Sequence, residues 1–257
     1  MAEALNADKL TVPHGFFTRR GGVSTGPFTS LNCSLSGQDD PAAVLENRTR
    51  VAHVIQAKPS QLLGLNQVHG IGVVTVTEPW TPEQRPKADA MVTARPDIAL
   101  GVVTADCAPV LFVDAERNIV GAAHAGWRGA VAGILEATVA AMMALGSVSG
   151  RIAVAIGPCI AQPSYEVGPD LRDAVVARCL SDAMFFSPGV RFGHWQFDLA
   201  EYCAARLRAA GVSTIMVTGY DTLADEARFF SHRRRTLAQR GGIAAPIGHQ
   251  ISVIRPG

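Results

Sequence analysis

The sequence predicts an α+β fold of the layered α/β type, one domain over residues 1–257 with mixed β-sheets flanked by helices. Three observations carry this reading. Short β-branched runs alternate with stretches of helical periodicity. Several runs are apolar at every position, as in strands covered on both faces. The runs at 98–104, 110–113 and 119–123 follow one another too closely for helical crossovers and read as hairpin pairs, which argues against a wholly parallel sheet.

In chain order, a helical pattern at 41–57 precedes a strand at Ile71–Val76. Strands at Ile98–Thr104, Val110–Val113 and Ile119–Ala123 lead into a helix at 128–145. A strand at Ile152–Ile156 follows, then a helix at 168–180. Asp198, with Glu201 three residues later, resembles a capping box opening a helix at 198–210, and Gly211 suits its stop. A last strand covers Thr214–Thr218. No internal period of solenoid length recurs.

At 257 residues the chain can bury a full core, and 48% hydrophobic with 18% charged residues is the balance of a globular enzyme. A formal net charge of +1 gives no global field toward nucleic acid or an anionic membrane, so the expected partner is a small molecule. The basic stretch Arg228–Arg240, with Arg233-Arg234-Arg235, reads as a solvated face because no aromatic residues interleave the triplet. Five scattered cysteines do not resemble a disulfide framework, and Cys179 and Cys203 read as core. The first residues offer no secretory signal, and the apolar stretch 98–113 is too short and too polar to span a bilayer. A cytoplasmic protein, monomeric or a small homo-oligomer, is expected.

The chemistry concentrates in three phrases: Asn66-Gln67-Val68-His69-Gly70, Thr104-Ala105-Asp106-Cys107 and His124-Ala125-Gly126-Trp127-Arg128. Two imidazoles and a thiolate suit zinc and leave a fourth position for water or substrate. The ligands lie 38 and 17 residues apart, so only the tertiary fold can bring them together. Taken singly, each has a bland reading: Cys107 as an inert buried thiol, His69 as a solvated loop residue, Trp127 as a core plug and Arg128 as a surface charge. Asp106, beside an apolar run, needs partners, for which a ligand histidine's second ring nitrogen is a candidate. His124 stands where a strand ends and a helix begins, a place for an anion, with Arg128 beside it. The segment His14–Ser24 joins Arg19-Arg20 to Gly21-Gly22, either an anion-binding loop or a hairpin turn. A nucleotide-binding Gly-x-Gly-x-x-Gly after a strand, a P-loop and a Gly-x-Ser-x-Gly elbow are all missing.

Together with Gly15–Ser24, Leu31-Asn32, Ala88-Asp89-Ala90, Gly157-Pro158-Cys159-Ile160, Tyr165-Glu166-Val167-Gly168 and Phe229-Phe230-Ser231, these phrases resemble the YfiH family, also called the multicopper polyphenol oxidase or laccase-domain family, across nearly the whole chain. The resemblance implies a YfiH-like architecture, akin to cysteine hydrolases. It implies zinc on His69, Cys107 and His124, which are also the catalytic centre, with substrate contacts expected from Arg19, Asn32, Gln67, Asp106 and Arg128. It further implies phosphorolysis of adenosine, inosine and methylthioadenosine, and hydrolytic deamination of adenosine. Copper is the second choice of metal, because seven scattered histidines cannot supply a multicopper cluster. The chain departs from the family near its C-terminus, with Ser231-His232-Arg233-Arg234 for Ser-Tyr-Arg-Arg and Ala238-Gln239-Arg240 for Thr-Gly-Arg, so substrate contacts from that segment are in question.

Two other readings stay open. In one, Cys107 is the nucleophile and His124 the base of a hydrolase or amidase acting on a peptide or cell-wall precursor. In the other the metal is purely structural, and a chelator unfolds the protein.

Overall fold

The computed structural model describes residues 1–238 and 245–257. Gln239 and Arg240, where the sequence departs from its family, lie outside the described residues. The first of three sheets runs β1 (Ala4–Leu5), β2 (His14–Phe17), β14 (Gln250–Ile254), β6 (Ala99–Thr104), β3 (Leu62–Leu63), antiparallel except for β3 beside β6. The second runs β13 (Thr214–Val217), β9 (Ala153–Ile156), β7 (Ala108–Asp114), β8 (Ile119–Ala125), β5 (Ala90–Thr93), β4 (Val73–Thr75), with parallel pairs at both edges and antiparallel pairs between. A small antiparallel sheet joins β10 (Glu166–Val167), β12 (Trp195–Phe197) and β11 (Phe186–Pro188). The sheets are mixed, as the sequence predicts.

Strand alternation builds four layers. Leu111, Val113, Met91 and Ala122 of the second sheet point at Phe16, Leu100, Val102 and Ile254 of the first, making a core between the sheets. Their neighbours Val110, Phe112, Val92 and Ala123 point the other way, against α3 (Ile134–Ala144), α4 (Pro169–Arg178) and α5 (Leu199–Ala209). The outer face of the first sheet, through Phe17, Ala99, Ile251 and Val253, packs on Val51 and Ala52 of α1 (Pro41–Val54). Each fully buried large aliphatic or aromatic side chain contributes about 1.5–3 kcal/mol, which explains why the central strands are apolar at every position. At the end of β9, Gly157 lies against the Phe16 ring, where a Cβ would stand 2.1 Å from Cδ1.

The structure corrects several expectations. β6 and β7 are not a hairpin: they belong to different sheets, and the chain steps from one to the other through Ala105, Asp106 and Cys107. Asp106 makes that step in the left-handed region, with φ of 95°. The β7–β8 hairpin forms as expected. The helix foreseen at 128–145 divides into α2 (Trp127–Ala132) and α3, because Gly133, with φ of 108°, closes one helix and opens the next. His14–Phe17 is a strand paired with β1 and β14, and beyond it Arg19 donates to the backbone carbonyls of Thr29 and Glu226 and Arg20 to that of Ala227. Asp198 caps α5 by accepting from the Glu201 N–H at 3.0 Å. Cys203 is buried, but Cys179 is exposed. Within α6 (His232–Ala238) the arginine triplet is no solvated face: Arg234 donates to the carbonyls of Thr222, Leu223 and Phe229, and Arg233 to that of Glu166. Among the described residues no helix is long and apolar enough to cross a membrane.

Candidate metal centre

His69 lies in the segment between β3 and β4, in the left-handed region with φ of 60°. Two side chains hold that segment. The Gln67 amide accepts from the Val103 N–H at 2.9 Å and donates to the Val103 carbonyl at 2.8 Å, imitating a neighbouring strand beside β6. Asp89, fully buried just before β5, accepts from the backbone N–H groups of Val68 (3.2 Å), His69 (2.9 Å) and Gly70 (2.7 Å). Left-handed backbone in a non-glycine residue costs about 1–2 kcal/mol, and these bonds offset it.

Asp89 also binds His124, on the last turn of pleat of β8: its Oδ1 lies 2.8 Å from Nδ1 of the imidazole, and its carbonyl accepts from the His124 N–H at 2.8 Å. His124 is 3% exposed, so the ring is fixed and its Nε2 is left for other business. Cys107 follows the step between the sheets. The Asp106 carboxylate accepts from the Thr222 hydroxyl at 2.7 Å and from the Arg233 N–H at 2.6 Å, which anchors the strained turn beside the sulfur.

One ligand atom each from His69, Cys107 and His124 lie within 4.8 Å of one another, and the two imidazole rings meet edge to face with centroids 4.7 Å apart. Gly126 makes the approach feasible: a Cβ there would stand 3.0 Å from Cys107 Sγ and 3.1 Å from His69 Cδ2. Burial alone would raise the Cys107 thiol, but the charge and hydrogen bonds of His124 and His69 draw it well below the ordinary thiol value. Burial would lower His124, but Cys107 and Asp89 draw it above the ordinary imidazole value. Burial would likewise raise Asp89, yet its bonds from His124, Gly70 and His69 hold it below the usual carboxylate range. Cys107 and His124 thus each favour the charged form of the other. Two neutral imidazoles and a thiolate, one imidazole oriented by a carboxylate, form a donor set that fits a divalent ion with a coordination position to spare.

The three side chains line a cavity of about 590 Å³, together with Gln67, Asp106, Trp127 and Arg128. Asn32 and Arg19 are not brought there. Asn32 is fully buried, with its amide engaged by Asp39, Ser34 and His249, and Arg19 stacks on the Phe230 ring. The imidazole's carboxylate partner is Asp89 rather than Asp106, whose oxygens serve Thr222 and Arg233. Sequence reasoning passed over Asp89 except as part of a family phrase, although an acid set between Ala88 and Ala90 at the mouth of an apolar run was a signal. Tyr165 likewise figured only in a family phrase, and His249, Arg48 and Arg85, which share the cavity wall with it, were passed over.

The family model described as multi-copper polyphenol oxidoreductase laccase matches residues 13–254. The chain belongs to this family. Among curated relatives, it is 42% identical over 244 residues to a protein of Deinococcus radiodurans named purine nucleoside phosphorylase, covering 95% of this chain and 92% of that one. A Pseudomonas aeruginosa protein of the same name is 42% identical over 223 residues, covering 87% and 88%. The crystal structure of Bacillus licheniformis hypothetical protein YfiH superposes with a TM-score of 0.87 at 31% identity, covering 95% of this chain and 92% of that one. YlmD from Geobacillus stearothermophilus gives 0.83 at 29% identity, covering 99% and 96%. The family's name speaks of several coppers, whereas the described residues of this member hold one His/Cys/His cluster.

Proposed function

We propose that the chain is a zinc-dependent purine nucleoside enzyme. It phosphorolyses adenosine, inosine and methylthioadenosine to free base and ribose 1-phosphate or its methylthio counterpart, and it deaminates adenosine to inosine. The observation that carries this reading is the convergence of His69, Cys107 and His124 within 4.8 Å in a cavity of small-molecule size, in a chain whose relatives are named purine nucleoside phosphorylase.

His69, Cys107 and His124 would hold the ion, and the thiolate with two imidazoles favours zinc over a copper cluster. When bound, zinc supplies Lewis-acid polarisation and lowers the pKa of water to about 7. Asp89 keeps the His124 ring in one orientation and tautomer. Trp127 and Tyr165 offer flat faces to a purine, and Arg128, stacked on Trp127, offers a guanidinium to phosphate. In phosphorolysis a phosphate oxygen bonds to C1′ as the C1′–N9 bond breaks, and its electron pair leaves with the purine, which takes up a proton. In deamination water adds at C6 and ammonia departs.

The test is direct. Zinc-loaded protein given adenosine and phosphate should release adenine with ribose 1-phosphate, or inosine, and Cys107→Ala should abolish both; unchanged turnover in that variant would remove the site from the mechanism. Metal content of protein purified without added zinc identifies the ion.

The lowered Cys107 thiol beside the raised His124 imidazole favours a second reading, a thiol hydrolase acting on a peptide or cell-wall precursor. Inhibition by chelator supports zinc. Full activity of metal-free protein, lost on stoichiometric alkylation of Cys107, supports the hydrolase.

A further inference from the structure

The cavity extends beyond the metal centre into a region built from other segments: α1, the loop at 33–37, the segment before β5 and His249 just before β14. Arg48, on α1, is 7% exposed. Its guanidinium donates to the Cys33 carbonyl at 3.3 Å and the Leu62 carbonyl at 3.0 Å, two neutral groups, and no carboxylate among the described residues pairs with it. Arg85 points its charge toward the same region, donating to the carbonyls of Pro82 and Leu35. The cavity wall carries four arginines (48, 85, 128 and 233) against one acid, Asp106, whose two oxygens are already engaged.

A buried cation without a counter-charge is costly, and a second cation beside it adds repulsion. Further donors stand close by. Ser34 and Ser36 line the wall beside Arg48, and a Cβ on Gly64 would stand 3.4 Å from the Arg48 guanidinium, so the glycine leaves that flank uncovered. Two buried polar atoms on the cavity wall, Thr104 Oγ1 and His249 Nδ1, have no hydrogen-bond partner among the described residues. His249 adjoins Arg48 through Cys33, whose N–H donates to the His249 carbonyl at 3.0 Å and whose own carbonyl takes the Arg48 bond.

We propose that Arg48, Arg85 and the Ser34–Gly37 loop form a pocket for a phosphoryl group, separate from Arg128 at the metal centre. Two guanidiniums with flanking hydroxyls present more donors than the two oxygens of a carboxylate can use, whereas the three terminal oxygens of a phosphoryl dianion match them. The group is either inorganic phosphate or the phosphate ester of a larger substrate. The claim concerns binding and goes beyond the proposed reaction: a protein that binds phosphate here yet does not phosphorolyse nucleosides keeps the pocket and loses the reaction.

Titration calorimetry of the whole, metal-loaded protein tests it, with inorganic phosphate, acetate, adenosine and adenosine 5′-monophosphate as probes. Phosphate, or the monophosphate relative to adenosine, should bind more tightly than acetate. Arg85→Gln should weaken that binding by about tenfold or more while adenosine affinity holds. Arg48→Lys, which keeps the charge and removes the fork, should do the same in folded protein, and if Arg48→Lys does not fold, Arg85→Gln alone decides. Phosphate binding alongside adenosine, with adenosine and its monophosphate equal, identifies free phosphate as the occupant. A monophosphate advantage that Arg85→Gln erases identifies an ester. Phosphate no tighter than acetate with no monophosphate advantage, or phosphoryl binding lost in Arg128→Gln but retained in Arg85→Gln, overturns the proposal.

Discussion

Asp89 and His124 are joined twice, by the carboxylate to the ring nitrogen and by the backbone carbonyl to the backbone N–H, both at 2.8 Å. Because the same carboxylate also receives the N–H groups of residues 68–70, one buried acid sets the positions of two imidazoles from different segments. Asp89→Asn replaces an acceptor with a group that is half donor. Zinc affinity measured by chelator competition should fall by about 10–100-fold, and Asp89→Ala, which strands the N–H groups, should also lower the melting temperature of the metal-free protein.

Gly126→Ala should injure the centre with little effect on the fold. The new methyl would press on Cys107 Sγ at 3.0 Å and on His69 Cδ2 at 3.1 Å, and both side chains would have to give by a few tenths of an ångström. The expected outcome is weaker metal binding and turnover with a melting temperature within a few degrees of the parent. Unaltered metal affinity would contradict the geometry described.

In metal-free protein Cys107 should react with iodoacetamide at pH values where an ordinary thiol is inert, since His124 and His69 draw its thiol down. The accompanying stability has two limits. A thiol lowered on folding stabilises the protein above its unfolded value and ceases to do so as pH falls through the lowered one; an imidazole raised on folding stabilises below its unfolded value and ceases to do so as pH rises through the raised one. Metal-free protein should therefore melt highest between the two folded values. In His124→Gln the alkylation profile should move back toward that of a free thiol.

Gly157→Ala tests the packing between the sheets independently of the centre. Its methyl would meet the Phe16 ring at 2.1 Å, in a core that cannot yield. Overpacking of this kind costs about 1–3 kcal/mol, so the melting temperature should fall by roughly 5–10 °C, while the folded fraction still binds metal.

Strands β6 to β9 and the helices α1, α3, α4 and α5 were legible because burial on one or both faces writes itself into periodicity, whereas β5 and β14, central and fully buried, are too short to show it. The pairing of β6 with β7 was misread for the same reason: two apolar runs three residues apart look alike whether the chain turns back in one sheet or crosses to another, and Asp106, whose left-handed backbone makes the crossing, carries no mark in the sequence. His69, Cys107 and His124 stood out by residue type and by their place at strand ends. Asp89 did not, since its partners are a ring 35 residues away and N–H groups 19 to 21 residues back. Arg19 and Asn32 sit in phrases as distinctive as those of the ligands, yet both are spent on holding the outer loops together. Arg48 looked like one more polar residue on a helix, and only its depth under the 33–37 loop sets it apart.

Cys107 rides on the stair between two stacked sheets, while His124 belongs to one sheet and Gln67 tethers the His69 segment to the other. The three donors thus work like the jaws of a caliper resting on both plates. A change of a fraction of an ångström in how the plates settle on one another, produced by swapping a methyl for an ethyl deep among Met91, Leu111 and Val102, would open or close those jaws, so the spacing of the three side chains answers to packing inside the stack without any change in the residues that form the cluster.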